Sequence, residues 1–200
     1  MPDRTSDTLA YYNNTSKQYA QDTQRVDFTE FQNIFISYLQ PNALIVDLGC
    51  GAGRDSKAFI EKGYRVIPVD GSSALVTLAA EYIGQEVICD TFQHYSPATN
   101  VDGIWACASL LHLPEEEIID VISRLTKKLN PGGVFYMSFK HGGFSGYRNE
   151  RFFTDLTSSR FKELVKDIPG IEIVYEKIST DVRAGRENEQ WLNVILKRME

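Results

Sequence analysis

Glycines and acids recur in this chain at spacings that suit a nucleotide-like ligand. The segment Asp47-Leu48-Gly49-Cys50-Gly51-Ala52-Gly53 follows a short apolar run and precedes helical text. Glycines at such a strand-to-helix turn let the backbone take positive φ and approach a ligand with no Cβ in the way. Asp70, followed by Gly71, closes a second apolar run 23 positions after Asp47. That is close to the roughly 20-residue interval at which a ribose-binding acid follows a glycine loop. Asp90 closes a third run and precedes Thr91 and Phe92; its carboxylate can accept from an adenine amino group while the phenyl ring lies against the base, or it can cap a helix. Two details argue against a dinucleotide. Asp47 would repel a pyrophosphate, and Arg54 occupies the place of the last glycine of a GxGxxG fingerprint. A ligand with an amino-acid amine and a sulfonium would be attracted by Asp47.

The elements that must position these groups alternate along the chain. Residues 7–39 read as helical with polar breaks, through Leu9, Tyr12, Tyr19, Phe28, Phe31, Ile34, Phe35 and Tyr38, and Pro41-Asn42 stops them. Strands are expected at Ala43–Leu48, Tyr64–Val69, Glu86–Cys89, Gly103–Ala108 and Val134–Phe139, the last after a turn at Pro131-Gly132-Gly133. Helices are expected at Arg54–Lys62, Glu115–Leu129 and Ser158–Lys166, and two further strands, Ile171–Ile178 and Gln190–Lys197, could form a hairpin. Short buried strands alternating with amphipathic helices predict an α/β fold, a doubly wound sheet with helices on both faces.

Composition narrows the class. With 200 residues, 42% hydrophobic and 24% charged, the chain fits one globular domain. No apolar run approaches the roughly 20 residues of a membrane span, and the first residues, Met1 to Asp7, are polar; a cytoplasmic location is expected. Cys50, Cys89 and Cys107 form no CxxC pair, so reduced, mostly buried thiols and no metal are expected. A net charge of −6 argues against nucleic acid and favours a small molecule, with any anionic group met by a local basic patch.

The glycine loop, the Asp70 and Asp90 strand ends and the turn Leu129-Asn130-Pro131-Gly132-Gly133 together resemble the class I S-adenosylmethionine-dependent methyltransferases, in the vicinity of the small single-domain tellurite-resistance-type and other small-molecule enzymes. The resemblance implies a Rossmann-like sheet of seven strands, ordered 3-2-1-4-5-7-6 with strand 7 antiparallel. It also implies a helical lid over residues 1–40, a cofactor-binding core over 41–140, and a substrate loop and terminal hairpin over 141–200. Carried over by position, Asp47, Gly49, Gly51, Gly53, Arg54 and Gly71 would be among the residues around S-adenosyl-L-methionine, with Gly49 and Gly51 at its methionine part, Asp70 at the ribose, Asp90 and Thr91 at the adenine and Phe92 against the ring. Ala106 would offer a carbonyl to the amine. Tyr12 and Tyr19, seven apart on one helix face, would cover the cofactor, unless they simply pack in the core.

Methyl transfer needs alignment in a dry pocket, and a base only when the nucleophile arrives protonated. His112, in Ser109-Leu110-Leu111-His112-Leu113-Pro114 past strand four, is the candidate base or else a packing residue. The segment Lys140 to Thr154 interleaves glycines, aromatics and cations. Tyr147, Arg148 and Arg151, with Arg183 and Arg186 from the terminal hairpin, are expected to meet an anionic acceptor, unless the loop is merely solvated. A small-molecule methyltransferase is thus the leading expectation. An RNA or protein methyltransferase and a non-catalytic S-adenosylmethionine-binding regulator are the alternatives; oligomeric state is not readable.

Overall fold

The computed structural model describes residues 3–183 and 185–199; Met1 and Pro2 of the polar N-terminal stretch lie outside them. Two helices lead, α1 (Arg4–Thr23) and α2 (Thr29–Ile36), so the long helical text is broken near Gln24–Phe28. Then follow β1 (Leu44–Leu48), α3 (Arg54–Glu61), β2 (Arg65–Asp70), α4 (Ser73–Ile83), β3 (Ile88–Cys89) and β4 (Val101–Ala106). The second half holds α5 (Glu115–Thr126), β5 (Leu129–Lys140), β6 (Ser145–Arg148), β7 (Arg151–Thr154), α6 (Ser158–Val165), β8 (Ile171–Thr180) and β9 (Gln190–Arg198).

Seven strands form one sheet in the order β3-β2-β1-β4-β5-β9-β8. Strand β9 runs antiparallel to both its neighbours, while β1 to β5 pair in parallel. This is the expected order, since β8 and β9 are the sixth and seventh strands of the sheet. The central strands are apolar on both faces because helices cover both. Alternation across the sheet splits neighbouring residues between two cores. Ile104 and Ala106 pack with Ile118, Ile122 and Phe161 on one side, whereas Trp105 packs with Phe35, Phe59 and Tyr136 on the other. Trp105 stacks on Tyr136 at 3.9 Å between ring centres. Burying each such ring contributes on the order of 2–3 kcal/mol.

Four local readings are corrected. Helix α4, capped by Ser72 Oγ on the Leu75 amide and ended by Gly84 at φ 84°, fills text that had no assigned element. The Pro131-Gly132-Gly133 turn survives as a bulge inside β5, because Leu129 already pairs with Val101 before the ladder shifts to Gly103 and Val134. Cys89 is exposed and Cys107 half-buried, leaving only Cys50 buried. Most consequential, the glycine-rich segment after β5 contains a two-stranded hairpin, β6 with β7. Its turn residues, Asn149 and Glu150, both take positive φ (47° and 65°). A type I′ two-residue turn demands that geometry, and without its usual glycine at the second position the sequence signal is weak. Among the described residues no helix is long and apolar enough to cross a membrane, and no cluster of His, Cys, Asp and Glu could hold a metal.

The close packing of α3 on α4 passes through Gly53, where an added Cβ would lie 2.8 Å from Ile83 Cγ1; Gly63, also at positive φ, faces open space. Gly53→Ala is therefore expected to cost more than Gly63→Ala, each losing roughly 1–2 kcal/mol for backbone strain and Gly53→Ala about 1 more for overpacking. Urea midpoints of the two variants measure the difference, and equal midpoints would contradict the packing role.

Candidate functional site

Three backbone contacts shape the turn after β1. The Gly49 and Cys50 amides both donate to the Val69 carbonyl, at 2.8 and 2.9 Å. The Gly51 amide donates to Asp70 Oδ2 at 2.8 Å, and the Ser72 amide to Asp70 Oδ1 at 2.8 Å. Each carboxylate oxygen of Asp70 keeps a free lone pair. Burial raises its pKa above the ordinary value, opposed by the two amides. At Gly49 (φ 83°) a Cβ would lie 2.5 Å from Ser109 Cβ, so only glycine lets the loop pass the turn after β4 this closely.

Two cavities open from this turn. The first, about 600 Å³ including its mouth, is lined by Thr5, Thr8, Leu9, Gly49, Gly51, Asp70, Gly71, Leu75, Thr91, Phe92, Gln93, Ser109 and Leu113 together with Tyr12, Tyr19, Ala108 and His112. The second, about 1050 Å³ including its mouth, runs past Arg54, Asp55, Cys107, Ser138, Lys140, Arg151, Phe153, Asp181, Arg183, Arg186, Trp191 and Asn193. The two share Tyr12, Tyr19, Gly49, Ala108 and His112. In the first cavity Gln93 Oε1 and Ser109 Oγ are buried without partners. The Gln93 amide nitrogen donates to Thr5 and Glu117, which leaves its oxygen as the unpaired acceptor.

The junction is held by an interlocked set of side chains. His112 Nδ1 lies 2.7 Å from the Phe152 carbonyl, which can only accept, so Nδ1 carries the proton. His112 Nε2 then accepts from Tyr12 Oη at 2.9 Å. Arg151 Nη1 donates to the same Tyr12 oxygen at 3.2 Å, and the guanidinium lies over the rings of Tyr11 and Phe153. Burial pushes His112 down to about 4, and Arg151 adds to this. The same burial raises the phenols of Tyr12 and Tyr19 and pushes the Cys107 thiol up to about 12. Tyr12 and Tyr19 meet edge to face at 5.3 Å, roofing both cavities.

The expected site residues divide accordingly. Gly49, Gly51, Asp70, Gly71, Thr91, Phe92, Tyr12 and Tyr19 line the first cavity, and Arg54, Arg151, Arg183 and Arg186 the second. Asp47 lines neither; it is buried against α3, accepting from Ser56 Oγ at 2.6 Å, with its pKa raised by burial and by Asp55. Gly53 packs on α4. Asp90 turns back to the Thr91 amide at 2.8 Å and lines neither cavity, and Ala106, the last residue of β4, is fully buried in the core, so Cys107 and Ala108 reach the cavities in its place. His112, as a hydrogen-bond acceptor already saturated by Tyr12, is not poised as a base. Tyr147 donates to Asp7 of α1 at 3.0 Å, and Arg148 forms a two-bond ion pair with Asp155 at 2.6 and 2.7 Å. Neither faces the second cavity; both fasten the hairpin. Gln93, Ser109 and Asn193 are wall residues with no role assigned from the sequence: Gln93 and Ser109 are single polar residues past strand ends and Asn193 a single polar residue inside β9, and none of these carries a spacing signal.

A family described as a methyltransferase domain matches residues 45–133. Trans-aconitate 2-methyltransferase of Azoarcus sp. (strain BH72) is 33% identical over 99 residues, covering 48% of this chain and 38% of the relative. N-terminal Xaa-Pro-Lys N-methyltransferase 1 of Xenopus tropicalis is 29% identical over 101 residues, 46% of this chain and 45% of that one. The chain thus spans less than half the length of either curated relative. In fold it is similar to a Burkholderia thailandensis 1,6-didemethyltoxoflavin-N1-methyltransferase solved with S-adenosylhomocysteine, with a TM-score of 0.78, 18% identity, and coverage of 98% of this chain and 89% of that one.

Because His112 is neutral in the folded protein at a pKa of about 4, against 6.5 ordinarily, its contribution is complete above pH 6.5 and is lost as pH falls toward 4. Between pH 7 and pH 5 this amounts to roughly 2 kcal/mol. The His112→Gln variant is expected to lack that slope in urea unfolding at the two pH values; parallel slopes in variant and parent would contradict it.

Proposed function

Since this chain belongs with the class I S-adenosylmethionine-dependent methyltransferases, we propose that it moves a methyl group from S-adenosyl-L-methionine to a small, anionic acceptor. The observation that carries this reading is the pair of cavities meeting at Tyr12, Gly49 and His112. One is built for an adenosine and the other for a charged partner.

The first cavity fits the donor on its own features. Gly49 and Gly51 supply backbone where a Cβ would fill the space, against Ser109 and Phe92 at one and Tyr19 at the other. The free lone pairs of Asp70 suit two ribose hydroxyls. Thr91, Phe92 and the orphaned Gln93 oxygen suit an adenine face and its amino group, the part first assigned to Asp90. When bound, the donor supplies an electrophilic methyl group. The protein's share is to orient, to cover with Tyr12 and Tyr19, and to exclude water.

The second cavity opposes the chain's overall charge. Five cations line it, Arg54, Lys140, Arg151, Arg183 and Arg186, against two carboxylates, Asp55 and Asp181. In a protein of net charge −6 such a lining concentrates anions at one place. These cations face into a cleft, which favours a small acceptor over an extended polyanion such as RNA.

Calorimetry with S-adenosylmethionine, S-adenosylhomocysteine and NAD tests the donor assignment. Both sulfur ligands are expected to bind and NAD to fail; binding of NAD alone would overturn it. Asp70→Ala, checked for folding by circular dichroism, is expected to weaken the sulfur ligands by roughly 1–3 kcal/mol.

A further inference from the structure

We propose that the atom methylated is an oxygen of a carboxylate, so that the product is a methyl ester and no proton is transferred. This rests on the methyl-transfer reading above and names its acceptor class.

Among the described residues the junction contains no group free to take a proton. His112 has both nitrogens engaged, Nδ1 on the Phe152 carbonyl and Nε2 on Tyr12, and burial holds it near 4. The nearby phenols, Tyr12 and Tyr19, and the Cys107 thiol are all shifted upward by burial, so each is protonated at neutral pH. The cleft's two carboxylates are occupied. Asp55 accepts from Arg54, Gln32 and Trp105, and Asp181 from Arg183 and Trp191, which helps hold it down to about 2. Asp70 lies in the first cavity only, where it holds the Gly51 and Ser72 amides and turns its remaining lone pairs to the ribose of the donor, so it is not open to the acceptor. An alcohol, a phenol or an ammonium would arrive with a proton and find no acceptor for it.

The cation at the junction points the same way. Arg54, Lys140 and Arg183 are each matched by a carboxylate, Asp55, Glu189 and Asp181. Arg151 makes no ion pair among the described residues; its Nη1 donates to Tyr12, and its Nε is buried with no partner. Its contact, Tyr12, is one of the five residues common to both cavities, so the unmatched charge stands where donor and acceptor meet. A guanidinium fork matches a carboxylate, which is fully ionised at neutral pH and needs no base. In the step, a carboxylate oxygen lone pair forms the bond to the methyl carbon as the carbon–sulfur bond breaks. That bonding pair stays on sulfur: the sulfonium becomes a neutral thioether and the carboxylate a neutral ester. The ester no longer pairs with Arg151, which favours its release.

The experiment supplies methyl-tritiated S-adenosylmethionine, the small-molecule extract of the source organism, and a set of mono-, di- and tricarboxylic acids with their amides. Methyl esters release labelled methanol in mild alkali, whereas methylated nitrogen, sulfur and phenolic oxygen do not. The expected result is alkali-labile label from the acids and none from the amides, with kcat flat from pH 6 to pH 9. For the responding acid, calorimetry in the presence of S-adenosylhomocysteine should show at least tenfold weaker binding to Arg151→Gln, partly restored in Arg151→Lys, with S-adenosylhomocysteine affinity unchanged. Alkali-stable label, or binding of the acid indifferent to Arg151→Gln, would overturn the ester proposal while leaving methyl transfer standing. No label from any source would overturn both.

Discussion

The Asp70 carboxylate, held by the amides of Gly51 and Ser72, is the contact on which the rest of the site depends. It joins the turn after β1 to the start of α4, and with the Val69 carbonyl it fixes the path of Gly49 to Gly51. Burying an acid normally costs several kcal/mol, and two charge-assisted hydrogen bonds offset much of that. The glycine turn can then lie beneath Tyr19, and Ser109, in the turn after β4, can approach within contact of Gly49. The turn after β1 and the start of α4, two walls of the first cavity, are placed by this knot.

Much of this architecture was legible in the residues. The alternating apolar runs marked the strands, because central parallel strands are buried on both faces, and the glycine loop with Asp70 marked the first cavity. Side-chain direction was not legible. Asp47 and Asp90 both end apolar runs, yet Asp47 turns into the core beside Ser56 and Asp90 folds back on its own chain. The Asn149-Glu150 turn hid a hairpin because residues other than glycine carry its positive φ. Arg148 and Arg151 illustrate the same limit. Three residues apart and chemically alike, one is consumed by Asp155 while the other faces the cleft, and only the partner decides.

The interlock of Tyr12, His112 and Phe152 ties three elements that are distant in sequence. Helix α1 provides the phenol, the turn after β4 the imidazole, and β7 the carbonyl. Tyr147 with Asp7 and the Phe152 amide with Thr8 Oγ1 add further links between the same helix and hairpin. His112 therefore serves as a joint whose neutrality is itself structural: a protonated ring could no longer accept from Tyr12.

The walls of the two cavities come from different stretches of chain. Residues 5 to 113 supply the whole of the first, while most of the charged lining of the second comes from residues 138 to 193. Recombination that exchanged the segment after β5 would hence replace the chemistry of the acceptor while inheriting the donor pocket intact. The boundary condition on such an exchange is the His112 joint, since a new segment must still offer a backbone carbonyl at the Phe152 position. A main-chain oxygen is available from any residue, so this joint places no demand on the side chain there; within the limits set by the β9 ladder and by core residues such as Phe161, the same scaffold can diversify its acceptors without re-evolving its grip on the donor.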